Sequence, residues 1–431
     1  MLALSEHHFK IQNRDEAVES PDPATHGDAI RSWLTALGGA EHLSLLVGSG
    51  LGIAMSNMLG IPPFGMERIT FAVPDAALVD AHADRSATAM RRGEANVEDQ
   101  LRSALQLLAG LEVVEPAAER TEAWKEALNA ALADFAQSGL DAERKMRKAI
   151  SSQGGAGHDA VRVLVSFLLA FASRPPSRER LTIFTTNYDR LLEYGCDLGG
   201  LRVLDRFVGS IEPVFRASRL ETDLHYSPPG IRGEPRYLEG VVRLSKLHGS
   251  LDWRFEDGAL RRIPLTFGGT DPHLRNDALQ RLMIYPSAAK DVETALFPYA
   301  ELFRDLSASL CRPNSVVVTF GYGFGDDHIN RVIRDMLTLR STHLLVISFS
   351  DPGDRIASFL TTVASEQYSL LFGPHFGDLA TLVDRYLPQP GAEQLILRHA
   401  SRSQALREDA APSDDGKPGT DDPTGDTVNG P

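Results

Sequence analysis

The chain has 431 residues, a formal net charge of −14 at pH 7 and 42% hydrophobic side chains. This length allows one large domain or two to three smaller ones, and the acidic balance argues against a chain that binds nucleic acid directly. Two cysteines, Cys196 and Cys311, cannot form a disulfide framework or a four-thiolate zinc site. These features are typical of a cytoplasmic protein.

The first 27 residues are mixed and polar, which predicts a flexible N-terminal arm that a partner subunit could order. They lack the basic start and apolar middle of a signal peptide. The sequence has no apolar run approaching the roughly 20 residues of a membrane helix. We therefore expect no membrane contact.

A glycine-rich turn follows the first predicted strand, residues 43–47, and precedes a predicted helix at 53–59. The turn consists of Gly48, Ser49 and Gly50. Such a turn lets backbone N–H groups approach a pyrophosphate, whose charge the helix N-terminus favours. A tight strand-to-helix crossover without a ligand would use the same glycines. The turn alone therefore does not show whether a nucleotide binds here.

Residues 76–155 are rich in Ala, Glu, Arg and Leu and predict a helical insertion. Asn96 is suited to cap its first helix, with Asp99 three residues further on. Further helices are predicted at 117–135 and 142–151. An amphipathic stripe at helical spacing is formed by Val97, Leu101, Leu105 and Leu108.

The most informative stretch is a buried strand, residues 181–184, that runs into a predicted helix. Thr186 or Asn187 is suited to be the N-cap of that helix. In an open α/β sheet this position lies at the carboxyl end of a strand, where ligands bind. Asn187 could therefore hold a water or a ribose hydroxyl, or it could be a cap only.

Further strands are predicted at 241–247, 282–285, 315–320 and 343–349. Four strand ends then carry small or polar residues: Gly48-Ser49-Gly50, Thr186-Asn187, His248-Gly249 and Gly321-Tyr322-Gly323. In a doubly wound sheet these ends can share one crevice. The sequence thus predicts an α/β fold, a Rossmann-like doubly wound parallel sheet built from residues 28–75 and 156–390, with the helical insertion between them. Residues 391–431 contain few apolar side chains and predict a disordered acidic tail.

With these four strand ends the chain resembles the sirtuin family, and most closely the bacterial sirtuin-like proteins of antiviral defence that hydrolyse NAD+. Gly48, Ser49 and Gly50 match the phosphate-binding glycine turn of that family. The segment with Ile61, Pro62 and Phe64 matches the glycine-isoleucine-proline segment that closes over the nicotinamide end of NAD+.

The resemblance also covers the later strand ends. Thr186, Asn187 and Asp189 match a motif in which the asparagine holds water or ribose and the aspartate faces the nicotinamide amide. His248 matches the catalytic histidine of a histidine-glycine pair. The turn on the adenosine side corresponds to Gly321, Tyr322 and Gly323.

The chain departs from sirtuin deacylases in several positions. Residues 53–59 make a longer spacer, Gly52 replaces a serine and Gly65 replaces an arginine. The two pairs of zinc-binding cysteines are missing, so the zinc module of protein deacylases cannot form. These departures disfavour a lysine-peptide substrate and favour water as the acceptor, with NAD+ as substrate and no metal.

The resulting hypothesis is an NAD+ hydrolase that depletes NAD+ in an infected cell. Asn187 would orient the water and His248 would accept a proton, as an imidazole can near neutral pH. The resemblance further implies a homo-oligomer and a HerA-type ATPase partner. Two alternatives stay open: a non-catalytic subunit that binds NAD or ADP-ribose, and an ADP-ribosyltransferase.

Two carboxylates near these strand ends have both a functional and a structural interpretation. Asp326 and Asp327 could bind ribose hydroxyls, although capping the following helix is the favoured interpretation. His328 and Trp253 are interpreted as structural.

Overall fold

The structure, a computed structural model, describes residues 4, 6–19, 21–89, 93–152, 154–219, 223–226, 236–284 and 297–388. Its strands are β1 His8–Ile11, β2 Arg14–Ala17, β3 His42–Val47, β4 Thr182–Thr185, β5 Arg202–Leu204, β6 Phe207–Val208, β7 Val214–Phe215, β8 His225–Tyr226, β9 Arg236–Tyr237, β10 Val241–Lys246, β11 Gly249–Glu256, β12 Ala259–Arg262, β13 Leu282–Ile284, β14 Ser315–Phe320, β15 His343–Ser348 and β16 Tyr368–Phe372.

The helices of the described residues are α1 Pro23–Gly38, α2 Gly50–Met58, α3 Ala76–Ala89, α4 Val97–Val114, α5 Glu119–Ser152, α6 Gly155–Ala172, α7 Leu191–Leu198, α8 Ala278–Arg281, α9 Tyr299–Leu310, α10 Asp327–Met336, α11 Arg355–Leu360 and α12 Leu379–Thr381. A π-helical turn at Leu382–Tyr386 follows α12.

A nine-stranded sheet forms the centre of the fold, in the order β2-β1-β16-β15-β14-β3-β4-β10-β5. From β16 to β5 every neighbouring pair is parallel. Strands β3, β14 and β15 are buried along almost their whole length, because helices cover both faces of a parallel sheet. The predicted α/β, Rossmann-like doubly wound sheet is confirmed.

The direction of winding reverses at β3. The chain proceeds from β3 to β4 on one side, and β14 later joins β3 on the other side. In open α/β sheets such a reversal opens a crevice at the carboxyl ends of the two central strands. Ligands are therefore expected beyond Val47 and Phe320, the last residues of β3 and β14.

The N-terminal arm was predicted wrongly for the residues that the structure describes. Strands β1 and β2 form a hairpin, and β1 pairs antiparallel with β16 at the edge of the main sheet. Phe9 is fully buried, and the buried Lys10 ammonium donates to the Ser365 hydroxyl over 2.7 Å. From sequence, Lys10 indicates an exposed segment, because Ser365, the partner that allows the lysine to be buried, lies far along the chain.

The helices predicted at 117–135 and 142–151 are one continuous helix, α5. Asn96 caps α4 in a capping box with Asp99, so the predicted cap is confirmed, although α3 precedes α4 as the first helix of this region. Trp124 of α5 is fully buried, and its ring centroid lies 5.3 Å from that of Phe71. The limits of the helical insertion as a domain remain a prediction.

Residues 1–391 group into one compact unit. The second unit, Ala392–Pro431, lies outside the described residues, and with it the predicted acidic tail. A separate five-stranded sheet, in the order β13-β11-β12-β7-β6, was not predicted. Its strand β11 begins directly after His248, and no strand was predicted there.

Helix α6 is long and apolar enough, by length and composition, to cross a membrane, and no other described helix is. In the fold, 61% of its 18 residues are buried. Phe167 is fully buried, and its ring centroid lies 4.8 Å from that of Phe320 on β14. The helix therefore packs as a core helix against the sheet.

Candidate functional site at the strand ends

The glycine turns after β3 and β14 touch backbone to backbone. The Gly48 N–H donates to Phe320 O over 3.0 Å, and the Gly50 N–H donates to Gly321 O over 3.1 Å. A Cβ atom on Gly48 would lie 2.4 Å from Gly321 O, and one on Gly50 would lie 2.5 Å from Gly321 Cα. Only glycine allows this approach, which sets the floor of a cavity at the sheet edge.

This first cavity has a volume of about 280 Å³ and lies at the crevice where the winding reverses. Its walls include most of the residues that the sequence predicted. These are Gly48, Ser49, Phe64, Thr186, Asn187, Asp189, His248, Tyr322 and Gly323.

Four other predicted residues lie beside the cavity without lining it. Gly50 and Gly321 form the turn contact behind its wall. Ile61 and Pro62 lie on the loop after α2, and from that loop Phe64 faces the cavity instead. The Phe64 ring is held 5.4 Å from the ring of Phe135 on α5.

Asn187 is fixed across two strand ends. Its Nδ2 donates to Gly48 O over 3.0 Å, and its backbone N–H donates to Thr185 Oγ1 over 3.0 Å. The N-cap of α7 is Arg190, so the expected capping by Thr186 or Asn187 is wrong. The helix starts later because a turn separates it from β4, and this turn directs Asn187 to the cavity.

Asp189 combines a structural and a cavity-facing role. Its Oδ1 accepts from the Leu191 N–H over 3.0 Å and so closes the turn before α7. Asp189 lines the cavity, and a Cβ on Gly52 would lie 4.0 Å from its Oδ2. The carboxylate is thus held by its own turn at the cavity wall.

His248 lies between the end of β10 and the start of β11 and is 5% exposed. Its Nε2 lies 4.0 Å from Asp326 Oδ1, and its ring centroid lies 5.8 Å from that of His328. Asp326 occupies the N-cap position of α10, yet its side chain accepts no bond from the described first turn. The carboxylate lines the cavity instead, beside the histidine.

Residues outside the strand ends complete the cavity and were not predicted. Glu98 on α4 accepts from the Tyr188 hydroxyl over 2.8 Å, and Glu143 on α5 accepts from the Arg190 N–H over 2.9 Å. Arg355, the first residue of α11, also lines the cavity. No sequence motif marks these positions, since tertiary packing alone brings them to the sheet edge.

Burial shapes the protonation of two cavity tyrosines. The pKa of Tyr188 is raised well above its ordinary value by burial and by Glu98. Burial, followed by Asp326, raises the pKa of Tyr322 in the same direction. Both phenols are therefore neutral hydrogen-bonding groups at physiological pH.

His248, Asp326 and His328 form a group that could hold a metal ion. One ligand atom of each residue lies within 4.8 Å of the others. Two imidazoles and one carboxylate are a ligand set that zinc accepts. That the chemistry uses no metal stays a prediction. His328, interpreted from sequence as structural, lies next to His248 and Asp326.

The chain thus has a Rossmann-like doubly wound fold with a cavity where the winding of its parallel sheet reverses, the position at which ligands bind in such folds. Residues 181–368 match the family model of the SIR2-like domain, which supports a sirtuin-like family. Asn187, His248 and the turn at Gly321 lie within this match. Such a domain is compatible with NAD+-dependent activity. Comparison with curated proteins gives no match.

Proposed function

We propose that the protein hydrolyses NAD+ to nicotinamide and ADP-ribose in the first cavity. The observation that carries this proposal is the convergence of Asn187 and His248 on one cavity beside a glycine turn. Pure binding of a nucleotide needs the turn but neither a fixed amide nor a buried imidazole. The SIR2-like match over the same residues supports the proposal.

The pyrophosphate of NAD+ is assigned to the glycine turn at the start of α2. Backbone N–H groups at a helix N-terminus favour phosphate oxygens. Arg355, which lines the same cavity, would supply a positive charge. Phe64 and Asp189 would receive the nicotinamide end, with the ring against Phe64 and the amide toward the carboxylate.

In the proposed step, the bond between the anomeric carbon and the nicotinamide nitrogen breaks, and the electron pair leaves with neutral nicotinamide. A water oxygen forms the new bond to that carbon, through an oxocarbenium-like state as in glycoside hydrolysis. With Nδ2 engaged at Gly48, Asn187 offers Oδ1 to hold the water. His248 accepts the water proton, and the nearby Asp326 carboxylate stabilises the imidazolium.

The test is release of nicotinamide and ADP-ribose from NAD+ by the parent protein and by Asn187→Ala and His248→Ala variants of equal thermal stability. The proposal expects release by the parent and loss of about a hundredfold or more in both variants. Undiminished release in the variants would remove both residues from the reaction.

A parent without activity can still be examined for binding. A rise of melting temperature with NAD+ concentration would then show a binding module or an enzyme that needs an activator. ADP-ribose attached to a protein or nucleic acid, detected by mass spectrometry, would instead favour a transferase.

We further propose that this hydrolysis depletes NAD+ in infected bacterial cells as an antiviral effector. This role, a homo-oligomeric state and a HerA-type ATPase partner rest on the resemblance described above. An unregulated hydrolase of this kind would harm its own cell, so a gate is expected. Measuring cellular NAD+ after infection, with the parent or the His248→Ala variant, tests the role, and co-purification tests the partner.

A further inference from the structure

A second cavity, of about 290 Å³, lies between β4, β10, α9 and the five-stranded sheet. Its apolar walls include Phe184, Phe207, Phe215 and Trp253. Within the described residues it shares no lining residue with the first cavity. It therefore has to be explained separately from the NAD+ site.

The cations that line the second cavity are already paired. Arg206 donates to Asp305, and Arg262 donates to Asp205. The Lys246 ammonium lies 3.0 Å from Glu193 Oε1. These pairs make the cavity a poor site for an anion, which would have to take a cation from its partner.

Two oxygens of the lining are open to a hydrogen-bond donor. Among the described residues, Glu193 Oε2 and Ser245 Oγ are buried without a hydrogen-bond partner. Ser245 is only 8% exposed and lines the cavity together with Glu193. A buried oxygen without a partner is costly, so these two atoms are suited to accept from a ligand.

A direct contact joins this lining to the first cavity. Besides Glu193, Lys246 donates to the backbone oxygens of Tyr188, over 3.2 Å, and of Asp189. These carbonyls belong to the turn that carries Asn187. A cation bound at Glu193 Oε2 would share this carboxylate with Lys246 and so weaken the hold of the lysine on the turn.

We propose that the second cavity binds a small flat aromatic molecule with a cationic N–H group, and that its binding weakens NAD+ binding in the first cavity. The aromatic walls define the flat body, and Glu193 and Ser245 define the donor group. The coupling rests on the proposed function, whereas binding in the second cavity does not. Burial raises the pKa of Glu193, and a bound cation would favour its ionised form.

Benzamidine is the probe, because it joins a flat ring to an amidinium group. Trp253 lines the cavity, so its fluorescence should change saturably with benzamidine, and a Trp253→Phe variant should lose the signal. Benzoate, with the same ring and a negative charge, should not produce it. Absence of a saturable Trp253 signal, or an equal response to benzoate, would overturn the proposal.

Two variants on helix α9 locate the binding. Ser309 lines the cavity, and Ser309→Phe should fill it and raise the benzamidine dissociation constant at least tenfold. Ser307 is exposed on the same helix, and Ser307→Phe should leave the constant unchanged. Glu193→Gln, which keeps the shape of the side chain, should also weaken binding about tenfold. If Ser309→Phe and Glu193→Gln both have the same benzamidine dissociation constant as the parent, the assignment of the site is overturned.

Titration of NAD+ with and without saturating benzamidine tests the coupling. The NAD+ dissociation constant should rise about fivefold or more in the parent and stay constant in Ser309→Phe. An unchanged or lower constant in the parent would overturn the coupling. Failure of NAD+ to bind under either condition would refute the proposed function, and the Trp253 signal would still decide the second cavity.

Discussion

The contact between the glycine turns makes Gly48 the most sensitive position of the first cavity. In Gly48→Ala, the new Cβ would lie 2.4 Å from Gly321 O and 2.7 Å from Tyr322 Cα. Both neighbours are backbone atoms, so no side chain can rotate away. The ends of β3 and β14 would have to separate by about 1 Å to reach an ordinary contact.

This separation would lengthen the two hydrogen bonds that join the turns, at 3.0 and 3.1 Å. Overpacking costs about 1–3 kcal/mol, and each weakened bond costs up to about 1 kcal/mol. We therefore expect Gly48→Ala to lower the free energy of unfolding by about 2–4 kcal/mol and to abolish NAD+-dependent stabilisation.

Gly52→Ala is the matched control in the same segment. Its Cβ would lie 4.0 Å from Asp189 Oδ2, an ordinary contact, and alanine favours a helix by about 1 kcal/mol. Urea unfolding of both variants measures the difference. A loss below about 1 kcal/mol in Gly48→Ala, or an equal loss in Gly52→Ala, would refute the argument from the turn contact.

Two further predictions concern stability. Arg190→Met should lower the free energy of unfolding by about 3–5 kcal/mol, because it leaves the Glu143 carboxylate buried without its cation. Arg144→Gln, in an exposed pair with Asp141, should cost at most about 1 kcal/mol in the same urea titration. Burial lowers the pKa of His343 from 6.5 to about 4, so the unfolded chain takes up this proton at higher pH than the folded chain. The free energy of unfolding should therefore fall by about 3 kcal/mol between pH 6.5 and 4, and His343→Gln should remove this part of the slope; identical pH profiles would contradict it.

The sequence predicts those parts of the site that depend on local pattern. Asn187 and His248 follow short apolar strands, and parallel strands of one sheet end at the same edge. The exact start of α7 was missed, because Asp189 rather than Asn187 closes the turn before it. The local pattern locates the end of a strand. It does not show whether Asn187 or Asp189, two positions later, is the residue that closes the turn before the helix.

Other parts depend on contacts that no local pattern contains. Glu98 and Arg355 reach the cavity from α4 and α11, far apart along the chain. The strand β1 was missed because Lys10 is buried only by virtue of its hydrogen bond to Ser365, far along the chain. The single helix α5 was divided in two because Gly139 interrupts its pattern, although that glycine packs closely against Leu251.

The hydrolysis of NAD+ with water as the acceptor is the central claim. The most direct measurement is mass spectrometry of the products formed from NAD+ in water enriched in oxygen-18. We predict nicotinamide and ADP-ribose in equal amounts, with one heavy oxygen in the ADP-ribose, and loss of both products in His248→Ala. Nicotinamide release without free labelled ADP-ribose, or unchanged release by the variant, would contradict the account.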